Sequence, residues 1–235
     1  MSNDSDSIRR AFLVEMLTLG LFAGFNVVGL VQPGHALGRI PSRLPAGKSI
    51  YKLRGQVTVD VQQATIDTFI GPNSLVSTGD KSEIIFVVAN DAFLLRSNSE
   101  LKLSGSGILV EGLRILSGKI LSVFGKRSEP HTIETSTATI GIRGTGIYVE
   151  SDPDFSYVCT CYGRTRISSK RDPGIFEDIL TEHHDDPRYI LAAGKGNGLI
   201  TAAPVINHSD KELILIEALV GRTPPFGTQG GGYKA

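Results

Sequence analysis

The residues of this chain best suited to chemistry lie in its second half. The run Tyr157-Val158-Cys159-Thr160-Cys161-Tyr162-Gly163 holds both cysteines of the 235-residue sequence, separated by one residue. Side chains alternate along an extended backbone, so the two thiols share one face of a strand. Downstream come the adjacent His183 and His184, then Asp185 and Asp186, and further on His208. Two thiolates and two imidazoles are a suitable donor set for zinc or another borderline metal. The candidate metal ligands are therefore Cys159, Cys161, His183 and His184, with a zinc-like ion as the cofactor. The stretch from Gly163 to Glu182 is long enough for a turn, signalled by Asp172-Pro173-Gly174, and a return strand or helix that brings the histidines back beside the thiols. Cys-x-Cys is not the usual zinc spacing. Three other readings stay open: buried free cysteines, a redox-active vicinal pair, and histidines that cap a turn.

Other chemistries are not written in the chain. There is no glycine loop followed by Lys for phosphate, no His-Glu-x-x-His, no serine elbow, and no nucleophile motif around either thiol. The reading is a protein that is not an enzyme. Lys plus Arg number 24 and Asp plus Glu number 24, so no overall field favours nucleic acid. Cysteines one residue apart cannot tie distant segments together within the chain, so packing must supply the stability.

The elements that have to position these residues are mostly strands. Val57-Thr58-Val59-Asp60-Val61 and Glu100-Leu101-Lys102-Leu103 alternate, and Ser82 to Val88 is a nearly continuous apolar run. Ile108 to Val110, Leu113 to Leu116 and Lys119 to Phe124 read as three short strands punctuated by Gly107, Gly112, Gly118 and Gly125. The expected fold is all-β, a solenoid-like or sandwich-like body of short strands. Residues 175–184 suit a short helix or a strand equally. Ser209 and Glu212 form a capping-box pattern, Leu213, Ile216, Leu219 and Val220 follow at helical spacing, and Gly221 and Pro224 stop the run. That predicts one amphipathic C-terminal helix over 210–220, and the glycine-rich 227–235 reads as a flexible tail.

The N-terminal segment reads as a signal for export. Arg9-Arg10 precedes an apolar run from Ala11 to Val31, and Pro33-Gly34-His35-Ala36 ends it with small residues where a signal peptidase cuts. Ser7 to Leu13 resembles a twin-arginine signal, although Val14 stands where Lys is usual. The expectation is a signal peptide at 1–36 and a periplasmic mature protein; retention of the apolar run as a membrane anchor is the alternative. No cysteine lies near residue 36, so a lipid anchor is not expected.

His131 to Glu150 carries the most distinctive string, His-Thr-Ile-Glu-Thr-Ser-Thr-Ala-Thr-Ile-Gly-Ile-Arg-Gly-Thr-Gly-Ile-Tyr-Val-Glu. A Thr-rich turn leads into Ile142-Arg143-Gly144-Thr145 and an alternating strand. With Ser77-Thr78-Gly79-Asp80 and Gly118-Lys119-Ile120 upstream, this resembles the FecR-type periplasmic domain over Gly55 to Glu150. The resemblance implies a β domain over 50–170, with 171–226 as a C-terminal extension. It makes Gly141, Arg143, Gly144 and Thr145 the structural motif, the glycines permitting positive φ and Arg143 tying turns together or binding an anion. Family members include regulators that hold a cytoplasmic sigma factor. Only ten residues precede the apolar run here, so the expectation is the periplasmic binding or sensing half alone, without anti-sigma activity. Its partner would be an envelope protein or a small ligand.

Overall fold

Alternating and continuous apolar runs become strands along the whole of the body. The structure is a computed structural model describing residues 40–126, 131–194 and 196–228. The signal segment read at 1–36 and most of the tail at 227–235 lie outside the described residues. Six short strands come first: β1 (Ile50–Arg54), β2 (Val57–Val59), β3 (Gln62–Gln63), β4 (Leu75–Thr78), β5 (Glu83–Val88) and β6 (Asp91–Leu95). The middle of the chain forms β7 (Ser99–Ser106), β8 (Leu109–Val123), β9 (His131–Glu134), β10 (Ala138–Ser151) and β11 (Phe155–Ser169). Last come β12 (Phe176–Thr181), β13 (Arg188–Leu191), a short 3-10 turn (Gly196–Leu199), β14 (Ile200–Ala202) and the one α-helix among the described residues, α1 (Asp210–Leu219). Among the described residues no helix is long and apolar enough to cross a membrane.

All fourteen strands belong to one hydrogen-bonded sheet, with β14-β13-β11-β10-β9-β8-β7-β4-β2-β3 as its main path and β1-β5-β6 branching from β8. Every pairing is antiparallel except β8 with β9. The sheet folds over on itself because its long strands change partners halfway. The first half of β8 pairs with β7, whereas Gly118–Val123 pairs with β10. Residues 139–142 of β10 lie between β9 and β11, and Gly146–Ser151 lie between β8 and β11. Each of these long strands bends at a glycine with positive φ: Gly118 (90°) in β8, Gly144 (57°) in β10 and Gly163 (92°) in β11. The glycines of the 107–125 stretch thus do not separate three short strands. Gly107 makes the β7–β8 hairpin tip, Gly112 lies within β8, and Gly118 bends it.

Two cores result, one on each face of the central strands. Ile84, Phe86 and Val88 of β5, Phe93 and Leu95 of β6, Ile147 and Val149 of β10 and Val158 of β11 enter the inner core. Ile85, Ala92, Leu94, Leu121, Tyr148, Tyr157 and both cysteines enter the outer one. Burial on both faces explains why Ile84 to Val88 is apolar without a break. Leu213, Ile216 and Leu219 of α1 cover the outer core. At roughly 1.5–3 kcal/mol per buried aliphatic side chain, this burial supplies most of the attraction that docks the helix. The helix starts as its capping pattern predicts, the Ser209 N–H donating to Glu212 Oε2 at 2.9 Å. Residues 176–181, open between helix and strand from sequence, are strand β12 on the flank of β11, so the sheet continues well beyond residue 170.

Candidate metal centre

The outer core contains the cluster. Tyr157, Cys159 and Cys161 point into it from β11, as period two requires, and Tyr162 joins them although it is Cys161's neighbour. The cause is a bulge: Gly146 pairs with Tyr162 and Ile147 with Thr160, leaving Cys161 unpaired in the register. A bulge re-aims side chains locally. Here it lets two consecutive residues face the same way.

His184 arrives from the turn after β12. Thr181 Oγ1 accepts the N–H groups of His183 (3.2 Å) and Asp185 (3.1 Å), while the His184 N–H donates to the Cys161 carbonyl at 3.0 Å. His184 has φ of 54°, a conformation histidine tolerates better than most residues. The tight turn therefore sends the two neighbouring histidines in different directions. His184 is 4% exposed and its Nδ1 lies 3.5 Å from Cys159 Sγ. His183 is directed to Asp210, with Nε2 at 2.9 Å from Oδ1, and its side chain is about one-third exposed at 32%.

The fourth member of the cluster is His208, not His183. It sits just ahead of α1, where Tyr157 Oη donates to the Pro204 carbonyl at 2.9 Å and accepts from the Ile206 N–H at 3.3 Å. Tyr148 stacks flat on its ring, with centroids 4.6 Å apart. His208 Nε2 lies 3.0 Å from His184 Nδ1. One donor atom from each of Cys159, Cys161, His184 and His208 lies within 4.8 Å of every other, and all four residues are buried. A second grouping, His183, His184 and Asp210, adjoins it and shares His184. The sequence placed three of the four members. The signal for His208 was its position immediately before the Ser209 cap, which anchors it to the start of a helix that must cover the thiols.

Electrostatics separates the two sulfurs. The hydrogen bond from Cys161, more than offsetting burial, together with the His184 and His208 imidazoles, holds the Cys159 thiol well below its ordinary range. Burial pushes Cys161 well above, and the shared hydrogen bond adds to it. Around them, burial also raises the phenols of Tyr148, Tyr157 and Tyr162, so these rings stay neutral at physiological pH.

The Gly141–Thr145 motif lies elsewhere. Thr145 is the residue that ties the bend of β10, accepting the Arg143 N–H at 3.3 Å and donating to the Arg164 carbonyl at 3.1 Å. The Arg143 side chain is exposed, opposite Arg164 in the register. With Gly141, Arg166, Asp178 and Leu180 these arginines line a shallow groove of about 510 Å³. Asp178 holds Arg166 through two hydrogen bonds, at 2.8 and 2.7 Å.

No family model matches the chain, and no curated protein matches it. Among solved structures, two crystal structures of a candidate anti-sigma factor from Parabacteroides distasonis ATCC 8503, at 1.65 and 2.50 Å resolution, resemble it in part. Each has 11% sequence identity and a TM-score of 0.45, over 55% of this chain and 58% of the other. The chain thus spans a little over half the length of those proteins.

Proposed function

We propose that the chain is a non-catalytic binding and sensing module of the bacterial cell envelope, of the FecR type, whose responsive element is a metal ion held by the buried cluster. One observation carries this reading. Donor atoms from three separate segments, β11, the turn after β12 and the lead-in to α1, meet within 4.8 Å of one another in a buried core. A cation bound by all four would give these buried polar groups one partner in common.

Turnover fits the same atoms less well. Cys159, His184 and Asp210 stand in the order nucleophile, base and orienting acid, at 3.5 and 3.1 Å. Yet Cys159 is 0% exposed, and a nucleophile that solvent cannot touch meets no substrate. A Cys159–Cys161 disulfide is also disfavoured. Residues two apart on a strand keep their Cβ atoms roughly 6.6 Å apart, whereas a disulfide needs about 3.8 Å. The export reading of residues 1–36 puts this module outside the cytoplasm, where its partner is an envelope protein or a small ligand.

Elemental analysis tests the proposal. The chain, expressed with its own leader and purified from the envelope fraction under mild conditions, should carry about one equivalent of a transition metal. The Cys159→Ser, Cys161→Ser double variant, folded by circular dichroism, should carry none. Equal metal content in the two proteins, or none in the folded wild type, would sink the metal reading.

A further inference from the structure

We infer that Cys159 Sγ, Cys161 Sγ, His184 Nδ1 and His208 Nε2 are the four ligand atoms of a closed tetrahedral site for a thiophilic divalent cation, zinc being the type, with Asp210 and the Ile206 carbonyl as its outer shell and His183 outside it. The inference rests on the metal-binding reading above.

The hydrogen bonds behind the two rings decide it. A neutral imidazole has one N–H and one lone pair. His208 Nδ1 lies 2.6 Å from the Ile206 carbonyl oxygen, which only accepts, so Nδ1 carries the hydrogen and Nε2 presents its lone pair. His184 Nε2 lies 3.1 Å from an Asp210 carboxylate oxygen, so there Nδ1 presents the lone pair. The two lone pairs approach to 3.0 Å, and beside one of them stands the Cys159 sulfur at 3.5 Å. Acceptors facing acceptors repel. A cation between them turns each contact attractive.

The distances suit such an ion. Zinc bonds of roughly 2.0–2.1 Å to nitrogen and 2.3 Å to sulfur give tetrahedral edges of roughly 3.3 Å between nitrogens and 3.6 Å between nitrogen and sulfur. Two observed separations, 3.0 and 3.5 Å, lie near these edges, and the remaining donor pairs lie within 4.8 Å. Charge selects the valence. Two thiolates neutralise a divalent ion, whereas a monovalent one leaves a net negative centre buried beside the Asp210 carboxylate, whose Oδ2 has no hydrogen-bond partner among the described residues. A carboxylate holding the outer nitrogen of a ligating histidine is a common support for metal sites, and it accounts for the His183, His184 and Asp210 grouping without a second ion. Four protein donors complete a tetrahedral shell, and all four are buried, which is the pattern of a closed site.

Cobalt(II) titration of the metal-stripped full chain, under reductant, tests the assignment through its tetrahedral ligand-field bands and thiolate charge-transfer band. Wild type and His183→Ala should give the same intense tetrahedral spectrum. His208→Ala should lose that spectrum and bind more weakly than Asp210→Asn, which should keep the spectrum and lose roughly 10–100-fold in affinity. Zinc should bleach every spectrum stoichiometrically. A spectrum destroyed by His183→Ala but kept by His208→Ala overturns the donor set, and a weak six-coordinate spectrum in the wild type overturns the closed site. Failure of the folded wild type to bind cobalt or zinc at all is a different result. It leaves a proton as the shared cation and ends the metal-binding reading itself.

Discussion

On the proposed metal-binding reading, stripping the ion with a chelator under reductant should lower the thermal midpoint of the full chain by roughly 8–16 °C when the free ion had been held about a thousandfold above its Kd. An ion that binds only the folded state adds about 4 kcal/mol under that condition, and a chain of this size shifts by roughly 2–4 °C per kcal/mol. The chain should stay folded without the ion, because Leu213, Ile216 and Leu219 dock α1 by burial and Arg96 pairs with Glu212 at 2.9 Å. Loosening should be local. Two of the three ligand-bearing segments, the turn after β12 and the lead-in to α1, are irregular, so hydrogen exchange should rise there while β5, β6 and β8 stay protected. An unchanged midpoint in protein shown to have lost its metal would mean that the ion plays no part in holding these segments.

The second large effect is expected at the strand bends. Gly118 has φ of 90°, and a Cβ there would lie 2.5 Å from the Ser99 Cα. Backbone strain and a clash with main chain act together, so Gly118→Val should cost roughly 3–5 kcal/mol. Gly144 has φ of 57°, and its added Cβ would meet the flexible Lys126 side chain at 3.0 Å and the Lys126 Cα at 3.4 Å, a milder approach to main chain than at Gly118. Gly144→Val should therefore cost roughly 1–3 kcal/mol, from backbone strain. Gly141 lies in the same motif with an ordinary strand conformation and nothing within 4 Å of an added Cβ. Its replacement by Val should stay within about 0.5 kcal/mol. Urea unfolding of the three variants checks the order. A Gly141 variant as unstable as the Gly118 variant would contradict the bend account and point to a role for the open space above Gly141.

Much of this architecture is visible in residue patterns, for definite reasons. Alternation and apolar runs mark strands because each strand has two faces, and Ile84 to Val88 is unbroken because both of its faces are buried. The helix was legible from Ser209 and Glu212, since capping is a local affair within one turn. The shared face of Cys159 and Cys161 follows from period two alone, and the strand bulge does not disturb it. What local pattern could not supply is which histidine turns inward. His183 and His184 are identical neighbours, and only the positive φ at His184, set by the Thr181-centred turn, separates them. His208 enters through a chain reversal 24 residues beyond His184, which no periodicity encodes. The bends at Gly118, Gly144 and Gly163 look like strand ends in sequence, because a glycine that bends a strand and one that stops it are the same residue.

The most direct test of the central claim is X-ray absorption at the zinc edge on the zinc-loaded full chain. Four-coordinate zinc at Cys159, Cys161, His184 and His208 predicts two sulfur scatterers at about 2.3 Å and two imidazole nitrogens at about 2.0–2.1 Å. A first shell of oxygen and nitrogen alone, or one sulfur with an added water, would contradict it.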